Sequence, residues 1–312
     1  MENTLYQKHL VSVSDLSVDE ISLIFQLARQ FKQQPGPANS LRGKILASCF
    51  YEPSTRTRLS FEAAALRLAG QVIGFSDSTT ISANKGECLY DSIQMICQYA
   101  DIIVLRHPKD GAARLAAEFS SVPVINAGDG ANRHPTQTLL DLFSIHECQG
   151  RLDGLHIALV GDLKYGRTAH SLAQCAARYN MRLYFVSPEN FTMPNTICET
   201  LRRAGVMYSF HRDIAEIKNK VDVIYMTRLQ KERLAPGEMI QSWDKCAINA
   251  SKLSHTKPNL KILHPLPRTT ELAYDLDQTP QAYYFEQAKN GLFVRQAILA
   301  LLLNPSCEAK LS

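Results

Sequence analysis

The sequence predicts an α/β fold of two domains, each a parallel sheet flanked by helices, and three observations carry that expectation. Short β-rich runs alternate with helical stretches along the whole chain. Several of those runs are nearly continuous in apolar residues, as strands covered on both faces must be. A chain of 312 residues is long for one core and comfortable for two.

A helix opens the fold. Ser17-Val18-Asp19-Glu20 has the capping-box pattern, and Ile21, Leu23, Ile24, Leu27 and Phe31 follow at helical spacing. The runs KILASCF, QVIGF, DIIVLR and VPVINAG then read as strands in the first half. HIALVGD, RLYFVSP, VDVIYMT, CAINA and KILHPLP read as strands in the second. Two sheets of four or five strands suit them better than one of nine. The seam falls at NRHPTQTLLDLF, where His134 precedes Pro135: the first is biased to extended backbone and the second suits a first helical turn. The last helix, GLFVRQAILALLL, comes after the second set of strands and crosses back to the first domain. The expected division is therefore 1–134 plus 291–312, and 135–290.

Composition removes several function classes. Hydrophobic content of 45% and charged content of 21% are those of an ordinary globular chain, and a net charge of +4 gives no support to a nucleic-acid partner. No apolar run approaches a membrane span, the longest being AILALLL, and MENTLYQKHL lacks a signal-peptide core. The eight cysteines include no C-x-x-C pair, so they read as buried free thiols of a cytoplasmic protein, with neither a disulfide framework nor a zinc site.

Ligands of such folds bind at the carboxyl ends of the strands, and the polar motifs fall there. STRTR (Ser54 to Arg58) lies between the strand KILASCF and an apolar helix. It is either a solvated loop with a good cap or an anion site, in which orphan N–H groups, hydroxyls and a guanidinium share one phosphate. Residues two apart on a helix face different ways, so Arg56 is assigned to the anion and Arg58 to a structural carboxylate partner. GDLKYGRT contains G-x-x-x-x-G-R-T, one residue from a P-loop. Arginine stands where the lysine belongs, and Asp162 would repel a polyphosphate, so Arg167 is better used as a planar fork for a carboxylate.

Arg106 and Arg228 also end strands, and one such arginine would pass as a surface charge. Together with Arg56 and Arg167 they suggest a substrate pair bearing several negative charges. His134 alone is a capping or core histidine, or else a neutral imidazole whose N–H polarises a carbonyl, with Gln137 one turn on. In HPLPR the two prolines either make a structural turn or stiffen it so that backbone carbonyls face an N–H-bearing ligand.

STRTR, RHP, HPTQT, GDLKYGRT, MTRLQKER and HPLPR, in this order between residues 54 and 268, resemble the aspartate/ornithine carbamoyltransferase family, and within it the branch that uses aspartate. The resemblance implies a carbamoyl-phosphate domain followed by an aspartate domain. It implies transfer of the carbamoyl group to the amine of L-aspartate, giving N-carbamoyl-L-aspartate and phosphate in pyrimidine biosynthesis. It further implies a homotrimer with active sites shared between chains, and it leaves room for a separate regulatory chain.

Carried over, Ser54, Thr55, Arg56 and Thr57 hold the phosphate, joined by Arg106. Thr57, Arg106 and His134 address the carbamoyl oxygen. Gln137 and the carbonyls of Pro265 and Leu266 take the carbamoyl NH2, with Leu266–Pro267 cis. Arg167 takes the α-carboxylate of aspartate, while Arg228 and Gln230 take the β-carboxylate. Ser82 and Lys85 come from the neighbouring chain, Lys85 joining Arg56, Thr57, Arg106 and His134 at the reacting atoms. The loop ISANKGE is one residue shorter than the family loop, a departure that falls on Ser82.

The chemistry accords with the residues. A dianionic phosphate must approach a dicarboxylate, and two like charges about 6 Å apart repel by roughly 3 kcal/mol at an effective dielectric of 20. Arg56, Lys85, Arg106, Arg167 and Arg228 answer that repulsion. Catalysis is then orientation and preorganised charge, for which no metal or cofactor is required. Ornithine is the nearest alternative acceptor. Its side-chain ammonium would be repelled by Arg228, and the cysteine of the ornithine branch's H-C-L-P motif is replaced by Pro265. A non-catalytic chain on the same fold would be expected to have lost some of these charges, and a P-loop nucleotidase would bind ATP unaided.

Overall fold

The structure is a computed structural model that describes residues 3–34, 38–77, 82–234 and 243–306. The chain divides into two compact units, residues 1–139 with 289–312, and residues 140–288.

Unit 1 begins with α1 (Val18–Gln33). Ser17 Oγ accepts the Glu20 N–H at 3.1 Å and Glu20 Oε2 accepts the Ser17 N–H at 2.8 Å, so the capping box forms as read. There follow β1 (Ile45–Phe50), α2 (Thr55–Arg67), β2 (Gln71–Phe75), α3 (Leu89–Ile96), β3 (Ile102–His107), α4 (Ala112–Phe119) and β4 (Val124–Asp129). All pairings are parallel, in the order β2-β1-β3-β4. Every residue of β4 is buried, as are the first four of β3, whereas the edge strand β2 is largely exposed. That contrast explains the apolar runs: a central parallel strand has helices on both faces and must be apolar throughout. Ala47, Cys49, Ile103 and Leu105 pack with Ile93, Ala113 and Ala116 on one face of this sheet.

The helix α5 (Pro135–Gln149) passes from unit 1 into unit 2. Unit 2 continues with β5 (His156–Gly161), α6 (Arg167–Cys175), β6 (Arg182–Val186), α7 (Asn195–Arg203), β7 (Tyr208–His211), β8 (Val223–Thr227), α8 (Trp243–Cys246) and β9 (Lys261–Leu263). The sheet is again parallel, in the order β7-β6-β5-β8-β9. Its core joins Ala158, Val160, Ile224, Met226 and Ile262 to Ile217, Leu276 and Tyr284.

The final helix, α9 (Tyr284–Leu303), re-enters unit 1, where Asn3 Nδ2 donates to Leu301 O at 2.7 Å and Arg295 donates to Ser60 Oγ at 3.0 Å. The Arg295 guanidinium also lies 5.1 Å from the centroid of Phe61, so an apolar helix is pinned by one buried cation.

Three sequence expectations need correction. CAINA is not a strand: only Ile248 bridges, to Leu272, because Asn249 turns its side chain back to accept the Lys252 N–H and caps a 3-10 turn. The fifth strand of that sheet is instead β7, YSFH, an edge strand whose half-exposed residues give no continuous apolar signal. Among the described cysteines, Cys49, Cys175, Cys198 and Cys246 are buried thiols, but Cys88 is exposed at the start of α3; Cys307 lies outside the described residues. No described helix is long and apolar enough to cross a membrane.

Candidate active site

In unit 1 the candidate residues leave the carboxyl ends of three adjacent strands. After β1, Ser54 is the N-cap of α2 and Thr55 its first residue. Thr57 is buried, Ser54 is half-buried, and Thr55 and Arg56 are exposed. Ser54 makes no side-chain cap bond, so the oxygen that would ordinarily close the helix start is not spent there. Arg58 turns away as its spacing requires: its Nε meets Glu62 Oε1 at 2.7 Å, and Ser48 Oγ donates to the same oxygen at 3.0 Å.

Arg106, opposite Phe50 in register near the end of β3, ion-pairs with Glu52 at 2.6 Å and donates to Ala127 O at 3.3 Å. Glu52 and Ala127 hold the guanidinium between the ends of β1 and β4. After β4, the buried Asp129 carboxylate shapes the turn into α5. Oδ1 accepts from Asn126 Nδ2 (2.9 Å) and the Arg133 N–H (3.0 Å), while Oδ2 accepts from the Gly111 N–H (2.9 Å) and Asn132 Nδ2 (3.0 Å). The turn delivers a buried His134 immediately before α5, where its carbonyl accepts the N–H groups of Gln137 and Thr138 at 3.0 and 3.2 Å. Ser82 and Lys85 sit on a 3-10 turn between β2 and α3, both exposed.

Unit 2 repeats the arrangement with β5, β8 and β9, which are neighbours in the sheet. Arg167 is the first residue of α6, and Arg228 and Gln230 follow β8, all three half-buried. One carboxylate ties the two loops together. Asp162, fully buried, accepts the Tyr165 N–H at 3.0 Å and the Gln230 N–H at 3.1 Å.

The glycines that imitate a P-loop have another purpose. A Cβ on Gly161, whose φ is +111°, would lie 2.2 Å from Thr227 O, and one on Gly166 would lie 2.4 Å from Asp162 O. Gly161 lets the ends of β5 and β8 approach closely, and Gly166 lets its own loop fold back on the Asp162 carbonyl.

After β9 comes the HPLPR loop, with the Leu266–Pro267 peptide cis, as the resemblance implies, and Leu266 at φ +57°. His264 and Glu271 inside it have no exposed side-chain surface and meet at 2.9 Å. Burial pushes the Glu271 carboxyl up, but hydrogen bonds from His264 and Thr269 outweigh it and bring the group down to about 2.

Sequence reading thus located the arginines and loop residues but passed over Glu52, Asp129, Asp162 as a tether, and the His264–Glu271 pair. Lone carboxylates in turns carry no periodic signal. Only the G-D-G in front of His134 and the G-D after β5 marked two of them.

The comparisons with known proteins agree along nearly the whole chain. Residues 8–147 match the family model for the aspartate/ornithine carbamoyltransferase, carbamoyl-P binding domain, and residues 153–302 match that for the Asp/Orn binding domain. The aspartate carbamoyltransferase catalytic subunit of Chromobacterium violaceum is 56% identical over 300 residues, covering 96% of this chain and 99% of the relative. Aspartate transcarbamoylase from Trypanosoma cruzi, solved with N-(phosphonacetyl)-L-aspartic acid, superposes with a TM-score of 0.91 at 37% identity, covering 97% of this chain and 98% of its own. The same enzyme solved with carbamoyl phosphate and aspartate gives 0.88 at 35% identity, covering 97% of each chain. With both domain models matched in order, and two parallel sheets presenting their polar loops as that architecture demands, the chain belongs to the aspartate/ornithine carbamoyltransferase family.

Proposed function

We infer that the protein transfers the carbamoyl group of carbamoyl phosphate to the amine of L-aspartate, releasing N-carbamoyl-L-aspartate and phosphate. The observation that carries the choice of aspartate is the pair of cationic loops in unit 2. Arg167 and Arg228 lie on loops that Asp162 ties together, which suits a dicarboxylate and repels an ornithine ammonium. The names of the relatives and the substrates in the T. cruzi complexes point the same way.

The uncharged amine of aspartate attacks the carbamoyl carbon, forming the C–N bond and placing charge on the carbamoyl oxygen. Thr57, Arg106 and the His134 N–H stabilise that oxyanion; cations and donors already fixed by Glu52 and Asp129 need little reorganisation as charge develops. The C–O bond to phosphate then breaks. The leaving phosphate, held by Ser54, Thr55, Arg56, Thr57 and Arg106, takes the electron pair and can accept the proton lost from the amine. Gln137 and the carbonyls of Pro265 and Leu266 hold the carbamoyl NH2, while Arg167 fixes the α-carboxylate and Arg228 and Gln230 the β-carboxylate. Residues 1–134 plus 291–312 serve as the carbamoyl-phosphate-binding domain and 135–290 as the aspartate-binding domain.

The working assembly is a homotrimer in which Ser82 and Lys85 serve the neighbouring chain's site. The exposed apolar side chains Leu59 and Leu66 on α2 and Ile73 on the edge strand β2 support self-association of unit 1. The product feeds pyrimidine biosynthesis in the cytoplasm, with room for a regulatory chain on the trimer. Incubation with carbamoyl phosphate, with aspartate and ornithine offered side by side, tests the reading: N-carbamoyl-aspartate is expected, and citrulline as the main product would overturn it.

A further inference from the structure

The HPLPR loop is folded around an imidazole that belongs to none of the roles above. His264 follows β9 directly, and its own N–H donates to Gln287 Oε1 at 2.8 Å. Gln287 Nε2 in turn donates to Asp141 Oδ1 at 2.6 Å, and the buried Tyr225 hydroxyl donates to Asp141 Oδ2 at 2.7 Å. The ring itself spans the loop. Leu266 N–H donates to Nδ1 at 2.8 Å, while Nε2 lies 2.9 Å from Glu271 Oε1. Glu271 also accepts from the Thr269 N–H at 2.9 Å and the Thr269 hydroxyl at 2.6 Å.

A nitrogen that accepts an amide proton cannot carry one, so the ring is the neutral Nε2–H tautomer, donating to the Glu271 carboxylate. Leu266 meanwhile holds φ +57°, a left-handed conformation that a leucine leaves unless something keeps it there. Its N–H is what the imidazole grips. A ring serving only to fill space would be cheaper as an apolar residue, because burying an imidazole and a carboxylate costs desolvation. A fully satisfied polar pair instead fixes one geometry.

We propose that His264 is a positioning residue. By gripping the Leu266 N–H with a tautomer locked by Glu271, it sets the direction of the Pro265 and Leu266 carbonyls that take the carbamoyl NH2. The inference rests on the carbamoyl-phosphate reading given above.

The test uses isosteric variants of the full-length protein, with binding of carbamoyl phosphate and of inorganic phosphate measured on each folded variant. Asparagine places an oxygen where Nδ1 stood, and glutamine reaches where Nε2 stood. His264→Asn is therefore expected to bind carbamoyl phosphate within threefold of wild type, and His264→Gln at least tenfold more weakly. Both should bind inorganic phosphate unchanged, since phosphate has no amide for the carbonyls to hold. A parallel loss of both ligands, or equal loss in the two variants, overturns the proposal. Where a variant does not fold, 15N-resolved NMR of the wild-type His264 ring decides. The Nε2–H tautomer at neutral pH supports the proposal, and the Nδ1–H tautomer or the imidazolium overturns it. Wild-type protein that fails to carbamoylate aspartate would instead sink the functional reading itself.

Discussion

Asp162 and Gln230 are 68 positions apart, yet the Asp162 carboxylate accepts the Gln230 backbone N–H at 3.1 Å. Its other oxygen accepts the Tyr165 N–H at 3.0 Å, so a single buried anion fixes the spacing of the loops bearing Arg167 and Arg228. The residue that makes GDLKYGRT a poor phosphate loop is the one that ties together the loops of the proposed carboxylate-binding pair. Asp162→Ala should strand two backbone donors, each worth about 1–3 kcal/mol when left unsatisfied. The expected outcome is at least a tenfold rise in KM for aspartate with inorganic phosphate binding retained. Unchanged aspartate kinetics in a folded variant would remove the tether from the account.

Arg56 and Arg58 should separate function from stability. Arg56→Ala removes a proposed transition-state contact from an exposed position and should abolish turnover with little change in unfolding midpoint. Arg58→Ala removes a half-exposed i,i+4 pair with Glu62 and should cost about 0.5–1 kcal/mol of stability. Near-normal kcat in Arg56→Ala would refute the phosphate cradle.

Arg228→Ala and Gln230→Ala should chiefly harm aspartate use, because their proposed contacts are to the β-carboxylate alone. Steady-state kinetics with aspartate varied should show the loss, and calorimetric titration with carbamoyl phosphate should show almost none. Equal weakening of both substrates by either change would overturn the assignment.

Glu271 sets an acid-stability expectation. Its carboxyl lies at about 2 in the folded protein against an ordinary 4.5. A depressed carboxyl contributes stability that is complete above pH 4.5 and is lost as pH falls through the folded value. The gap is worth roughly 3 kcal/mol at 1.4 kcal/mol per tenfold. Urea unfolding between pH 5 and 2 should therefore show a steeper loss of stability in wild type than in Glu271→Gln, which has no proton to take up. Identical slopes would mean that the group is not held ionised by His264 and Thr269.

The sequence was legible where physics writes a long or repeated signal. β4, β5 and β8 are buried along nearly their whole length, and their apolar runs are plain in the sequence. β7 was missed because an edge strand can leave its residues only partly buried, and CAINA was over-read because three apolar or small residues precede an asparagine that caps a turn. At the site, Arg56, Arg106, Arg167 and Arg228 could be picked out because each lies at or just past the carboxyl end of a strand. Their holders could not: Glu52 meets Arg106 from a different loop, and Asp162 meets Gln230 across two strands. Such pairs exist only once the sheet order β5-β8 and β1-β3 brings the loops together.

The last prediction concerns Lys85, exposed on its 3-10 turn while Arg56 lies in the first turn of α2 in the same unit. If the protein works as the proposed cyclic trimer, contacts are head-to-tail, and each site takes Arg56 from one chain and Lys85 from the next. Trimers made wholly of Arg56→Ala chains, or wholly of Lys85→Ala chains, should both be nearly inactive. Dissociated, mixed equally and reassembled at random, they should recover activity, because a site is whole wherever a Lys85→Ala chain, which keeps Arg56, lies against an Arg56→Ala chain, which keeps Lys85. By that pairing roughly a quarter of the sites are complete. Activity near a quarter of wild type on mixing, and none when either variant is reassembled alone, is the expected outcome. If hybrids form, as resolved by a charge tag on one parent, and mixing restores nothing, then Lys85 acts within its own chain or not at all, and the shared site falls with it.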